Sequence, residues 1–224
     1  MINSIKLSKL PGIVHGFADR TITIEDINAA NKGTFSEIQL LNQVHSDTVI
    51  TIDNLNLNST TPDGDAMITS TRGVGIGVRT ADCIPILMAD KNATVVAAVH
   101  AGWRGTYSEI VLKTLDIIHD KYGIDISQMI AVIGPYIKQQ CYEVREDVAS
   151  LFIDKYSQWN EFMVETTASK YLLDVGAVNR MQLLKNGVSD IEVIEFCTKC
   201  KDEFYSFRRE GEGVGSQISF IGIM

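Results

Sequence analysis

From Glu37 to Val99 the chain passes through six short segments: Glu37–Leu41, Thr48–Ile52, Asp65–Thr69, Val74–Val78, Ile84–Met88 and Thr94–Val99. They are rich in Val, Ile and Thr and are set off by Gly, Asn and Asp. β-Branched side chains suit a pleated, half-buried surface, and the residues between them suit tight turns. A first half of this kind argues for sheet and against a helical bundle. Ile13–Phe17, AVIGPYI, IEVIEF and QISFIGIM extend the pattern as further strands, and TIEDINAANKG reads as a short helix or loop.

Three helices are expected among these strands. The first covers Tyr107–Tyr122, with Val111, Leu115, Ile118 and Tyr122 at helical spacing, Thr106 as its cap and Gly123 as its stop. The second covers Arg145–Tyr156, with Val148, Phe152 and Tyr156 on one face. The third starts from a capping Asp174, carries Val178, Met181 and Leu184, and stops at Gly187. Helices spread among many strands predict an α+β or layered α/β class. GVGIG precedes no clear helix, so it is no dinucleotide fingerprint. The 224 residues contain no repeat or linker, which predicts a single domain over residues 1–224.

The formal net charge of −8 argues against a nucleic-acid backbone as the main partner but leaves room for a small anion held by a few arginines. No apolar run approaches the roughly 20 residues of a membrane span, and the N-terminus lacks the apolar region of a signal peptide. Four cysteines without a disulfide pattern fit a reducing cytoplasm.

His45, Cys83 and His100 stand in three polar islands, NQVHSDTV, RTADCIP and AVHAGWRG. Two imidazoles and one thiolate suit a three-ligand zinc site with a fourth position open for water or substrate. Two other readings stand beside it: hydrogen-bonded histidines with a small buried cysteine, and a metal-free Cys83–His100 hydrolase pair. In AVHAGWRGT, glycines Gly102 and Gly105 admit close backbone approach, and Arg104 suits a phosphate or carboxylate. The competing reading makes Trp103 core and Arg104 half of a salt bridge. Arg79 and Asp82 flank Cys83.

Asp63 and Asp65 surround Gly64 in a sequence typical of a turn, with a catalytic carboxylate as the alternative. Glu143, in QCYEV, is a candidate proton carrier near a metal-bound water, although surface use competes. Cys141, Arg79 and Arg208 are candidate substrate-binding residues. Cys197 and Cys200 form a lone C-x-x-C, readable as a structural zinc or redox pair or as two buried thiols. Arg208 and Arg209 offer anion binding or surface charge. His119 fits a helix C-terminus, and His15 reads as a satisfied core histidine.

NQVHSDTV, DGDAMITS, TADCIPIL, AAVHAGWRGT, IGPYIKQQCYEV and the tail CTKCKDEFYSFRR with SFIGI together resemble the laccase-domain family. That family was long labelled multicopper polyphenol oxidase and is now regarded as purine nucleoside phosphorylases. The resemblance runs from about His15 to the C-terminus, in the family's order. It implies a layered α/β/β/α fold related to cysteine hydrolases. It also implies one metal, zinc with copper as the alternative, on His45, Cys83 and His100. The activity implied is phosphorolysis of adenosine, inosine, guanosine or methylthioadenosine, with adenosine deamination besides. On this reading the partners are purine nucleosides and phosphate, Arg104 with Arg79 or Arg208 holds phosphate, and Asp65 or Glu143 manages protons.

Two stretches depart from the family pattern, HGFADRTITI and Val214-Gly215-Ser216-Gln217, and both are expected near the substrate pocket. The older label conflicts with the composition, because four histidines cannot build a trinuclear copper cluster beside further copper centres. Two rival functions remain: a thiol hydrolase or amidase using Cys83 and His100, and a non-catalytic metal- or nucleoside-binding protein.

Overall fold

The computed structural model describes residues 1–35, 37–52, 61–167 and 169–224. A six-stranded sheet forms its centre. Its order is β12 (Asp190–Val193), β8 (Met129–Ile133), β6 (Ile84–Asp90), β7 (Val96–Ala101), β4 (Ala66–Thr69) and β3 (Val49–Ile52). The two edge strands pair parallel with their neighbours, and the central pairings are antiparallel. Strands β6, β7 and β8 are buried along their whole length, because both faces of the sheet are covered. That explains why these segments read as continuous apolar runs rather than as an alternating pattern.

One face of this sheet packs on a four-stranded sheet of order β1 (Ile13–Phe17), β13 (Gln217–Ile223), β5 (Gly75–Thr80) and β2 (Ile38–Gln39). Phe17, Ile76, Val78 and Ile221 meet Met67, Leu87, Ala98 and Val132 between the two. The opposite face carries Ile68, Ile86, Met88 and Val99 against α3 (Ile110–Tyr122), α4 (Glu146–Lys155) and α5 (Val175–Lys185). Helix α1 (Ile24–Ala30) covers the outside of the smaller sheet through Ile27. It starts on a Thr23–Asp26 capping box, the feature that makes TIEDINAANKG helical. The layers therefore run helix, sheet, sheet, helices. A three-stranded antiparallel sheet, β10 (Met163–Thr167), β11 (Lys170–Leu173) and β9 (Glu143–Arg145), stands apart. The β10–β11 hairpin was not foreseen, because its exposed β10 carries polar residues where a buried strand would carry apolar ones.

The expected Tyr107–Tyr122 helix is two helices. Helix α2 (Trp103–Tyr107) starts at Gly102, and α3 follows after Glu109, whose φ of 61° breaks the path. Thr106 does not cap; it is buried inside α2 and its hydroxyl accepts from Asn179. Gln182 donates to the Thr106 carbonyl at the break. These two amides also correct the expected face of α5: Asn179 and Gln182 are buried while Leu184 is exposed. A polar pair serves here because its amide nitrogens bond Thr106 across the contact of α2 with α5. Helix α4 matches its expected bounds, and Asp174 caps α5 by accepting from the Ala177 amide. No helix among the described residues is long and apolar enough to cross a membrane.

Candidate metal centre and adjoining cavity

Strand register brings the three polar islands together at one end of the central sheet. In the β6–β7 pair Ile84 faces Ala101 and Pro85 faces His100, so Cys83, just before β6, lies across from Gly102. Asp65 sits just before β4, and its carbonyl accepts from the His100 amide at 2.7 Å. His45 reaches the same place from the loop before β3, in a left-handed conformation with φ of 58°.

The ligand atoms of His45, Cys83 and His100 lie within 4.8 Å of one another. The Cys83 sulfur is 4.0 Å from His45 Nε2, and the two imidazoles meet edge to face at 4.9 Å. A tetrahedral centre with bonds of about 2.0–2.3 Å would set nitrogen and sulfur ligands about 3.6 Å apart, so the Cys83 sulfur and His45 Nε2 need close by only a few tenths of an ångström. A Cβ built on Gly102 would stand 3.2 Å from both the Cys83 sulfur and the His45 ring, so glycine leaves this space clear. Two nitrogens and one sulfur of this spacing fit a zinc-class cation.

Asp65 supports the cluster from behind. It is fully buried, and its carboxylate holds His100 Nδ1 at 2.7 Å, which leaves Nε2 of that ring for a cation. The same carboxylate accepts from the amides of His45 and Ser46 and from the Ser46 hydroxyl. Burial alone would push its pKa up; the bonds from His100 and Ser46 overturn that and hold it at about 2. Asp65 is therefore no simple turn residue, and its oxygens are occupied away from any substrate.

Burial also opposes charge on Cys83 and His100, and their mutual contacts reverse it. Hydrogen bonds from His100 and His45 bring the Cys83 thiol down to about 6. Bonds to Asp65 and Cys83 bring His100 up to about 9. Without a cation the thiolate and the imidazolium thus stabilise each other.

A cavity of about 520 Å³ opens beside the cluster. Arg79, Arg104 and Arg208 line it together with the aromatic side chains of Trp103, Tyr142 and Phe207. The Arg104 guanidinium lies over the Trp103 ring at 4.4 Å, and Arg208 lies over Tyr142 at 5.0 Å. Arg104 therefore stacks on Trp103, and Trp103 is only partly buried. Gln43 exchanges two hydrogen bonds with the Arg79 backbone.

Asp82 ties the far wall in place. Its φ is 87°, a conformation unusual outside glycine, and its buried carboxylate accepts from Thr198, Ser206 and the Arg208 amide. Thr198 and Ser206 are more than a hundred residues away in sequence, so only the adjacency of Asp82 to Cys83 could have signalled this role. Tyr142 and Phe207 were likewise not expected at the site; each follows or adjoins a residue that was.

Two expected residues fall elsewhere. The Glu143 carboxylate pairs with Lys170 at 3.0 Å and does not line the cavity, although its carbonyl accepts from Arg208. Edge pairing of β9 with β11 turns that side chain outward. Cys141 does not line the cavity either; its sulfur is 3.2 Å from that of Cys200. The Arg209 guanidinium grips the carbonyls of Thr198, Lys199 and Phe204 and pairs with the carboxylates of Glu210 and Asp202, away from the cavity. Of the two departures from the family pattern, Val214, Gly215 and Ser216 line the cavity, while Arg20 of the other stacks on Tyr205 outside it. His15 accepts from the Ser4 amide in the core, and His119 lies near the Ile124 carbonyl.

The model of a family described as multi-copper polyphenol oxidoreductase laccase matches residues 21–224. The chain is 33% identical to a purine nucleoside phosphorylase of Clostridium acetobutylicum, over 83% of this chain and 76% of that one. It is 36% identical to an adenosine deaminase of an unknown prokaryotic organism, over 71% of this chain and 61% of that one, so it spans less than two thirds of that relative. Among solved structures, a Neisseria meningitidis protein of the DUF152 family aligns with a TM-score of 0.78 and 32% identity, covering 89% of this chain and 79% of that one.

Proposed function

The chain belongs to the multi-copper polyphenol oxidoreductase laccase family, and from the cavity beside its His45–Cys83–His100 cluster we propose that it is a metal-dependent purine nucleoside phosphorylase with adenosine deaminase activity. One observation carries this reading: three arginines, three aromatic side chains and a mixed imidazole–thiolate cluster share one cavity of about 520 Å³. The arginines suit phosphate, the aromatic side chains suit a purine ring, and the volume suits a nucleoside. The names of the relatives support the same substrates.

In this scheme Arg104, with Arg79 and Arg208, binds phosphate and aims an oxygen at the anomeric carbon. The new C–O bond forms as the bond to the purine nitrogen breaks, and the base leaves with that electron pair. Trp103, Tyr142 and Phe207 hold the base and exclude water. Asp65 acts as a positioning residue: it orients His100 and the His45 loop. When bound on His45, Cys83 and His100, zinc would supply Lewis acidity for polarising an oxygen or activating water. The two histidines, one on the core strand β1 and one on α3, that lie outside the cluster leave the chain without the donors of a multicopper centre. The enzyme works on soluble nucleosides, which fits the cytoplasm.

Phosphate-dependent release of free base from adenosine, inosine and guanosine, with metal content measured on the same sample, tests the proposal. Release that requires phosphate and disappears in His100→Ala supports it; no release from zinc-loaded protein overturns it. A second reading rests on the order Asp65, His100, Cys83, which is that of a thiol-hydrolase triad. It requires a covalent acyl adduct on Cys83 in metal-free protein, and mass spectrometry of that residue after incubation with acyl substrates decides it.

A further inference from the structure

A second group of soft donors lies outside the cavity. Cys141, Cys197 and Cys200 bring their sulfurs within 4.8 Å of one another, with Cys141 and Cys200 at 3.2 Å. A disulfide requires about 2.05 Å. Three thiolates on one tetrahedral zinc, each bonded at about 2.3 Å, lie about 3.8 Å apart. The sulfurs are too far apart for the first arrangement and near enough to share one cation.

The surroundings are built as a metal-binding turn needs. Cys141 ends the turn Gln139–Cys141, and Cys197 bridges to Tyr136. The amides of Cys200 and Lys201 both donate to the Cys197 carbonyl, which closes the C-x-x-C turn. The Lys138 amide points at the Cys197 sulfur at 3.4 Å, the kind of outer bond that supports a thiolate ligand. Arg209 holds the carbonyls of Thr198, Lys199 and Phe204, so the turn keeps its shape through its own hydrogen bonds.

We propose that Cys141, Cys197 and Cys200 form a second metal site that takes one zinc(II) ion on three thiolates, with water as fourth ligand. It joins the segment 136–143 to the segment 197–209. These segments carry Tyr142 and Arg208, which stack at 5.0 Å on the cavity wall. None of its cysteines lines that cavity, so toward the first centre the site acts as a clasp for the wall. Binding transfers the thiol protons to buffer.

The test uses the full chain, reduced, loaded with Zn²⁺ and desalted. Zinc per chain is measured for the wild type, for Cys197→Ser/Cys200→Ser and for Cys83→Ala. Two ions in the wild type and one in each variant are expected. Equal zinc in the wild type and the Cys197→Ser/Cys200→Ser variant overturns the proposal. The wild type gives a reading that does not depend on a folded variant: iodoacetamide labelling mapped cysteine by cysteine, before and after a chelator. Cys141, Cys197 and Cys200 should react at least about tenfold more slowly with zinc bound. Labelling unchanged by the chelator, or a Cys141–Cys200 disulfide recovered from the zinc-loaded reduced protein, overturns it. Cys83 is read on its own peptide, so failure of the first site leaves this result intact.

Discussion

Cys83 and Cys141 are both partly buried cysteines packed against other metal-binding side chains, yet their protons are held in opposite ways. Cys83 faces two imidazoles, which overcome burial and bring its thiol down to about 6. Cys141 faces two other sulfurs, and burial together with those neighbours pushes its thiol up to about 12. A sulfur set among imidazoles with a carboxylate behind them is ionised by the protein itself. Among the three sulfurs Cys141 is pushed up, while against burial the amides of Lys138 and Cys200 draw the Cys197 thiol down. The same contrast appears in the scaffold. The first cluster stands at the ends of β6, β7 and β4 with Asp65 buried beneath it; the second is assembled from two turns held by backbone amides. Rigid strand ends suit a reaction centre, and turns suit a clasp.

Removal of a ligand should separate the two clusters most clearly. Cys83→Ala is expected to lose base release by about a thousandfold or more, because the oriented cation and its electrostatic stabilisation go together. It should keep the zinc of the cysteine cluster, and loss of both ions would break the distinction drawn between them. Asp65→Asn is the next largest change. It should weaken zinc at the first cluster by about 10- to 100-fold and leave the second unchanged, as read by competition with a chromogenic chelator. In the wild type the contribution of Asp65 to stability is present above the ordinary carboxylate range and is lost as pH falls toward about 2. Acid unfolding of metal-free protein should therefore be steeper for the wild type than for Asp65→Asn.

Arg104→Ala addresses the cavity rather than either cluster. Loss of a charge-assisted contact worth about 1.5–3 kcal/mol predicts a 10- to 100-fold rise in the phosphate KM, with zinc content unchanged. Steady-state kinetics with phosphate varied at fixed nucleoside give the value, and an unchanged KM would remove Arg104 from phosphate binding. The smallest step, taken per pH unit, concerns zinc affinity. In metal-free protein His100 keeps its proton up to about 9, whereas Cys83 loses its proton above about 6. Between those values zinc must displace the His100 proton, so its affinity for the first cluster rises with pH, by at most about tenfold per unit, and levels off above about 9. Calorimetry of Cys197→Ser/Cys200→Ser in buffers of different ionisation enthalpy counts that proton. None released near about pH 7.5 would show His100 already neutral.

The sequence by itself determined the strand-rich α+β class, because β-branched runs and turn residues act within a few positions of one another. It also picked out His45, Cys83 and His100 as candidate donors, because they stand in three polar islands that match the family pattern, while a Cys83–His100 hydrolase pair stayed open beside them. Helix α4 was readable from its apolar spacing and α5 from its Asp174 cap for the same local reason. The break at Glu109 was not, since it is held by Asn179 and Gln182 more than seventy residues away. Asp65 looked like part of a turn until β4 met β7 and placed its carboxylate against His100. Arg208 and Arg209 are adjacent and chemically alike, but one lines the cavity and the other holds a turn. Cys141 became a neighbour of Cys197 and Cys200 only through the bridge of Tyr136 to Cys197. In each of these cases the deciding contact joins distant parts of the chain. Its free energy arises on packing, so the tertiary structure alone could assign it.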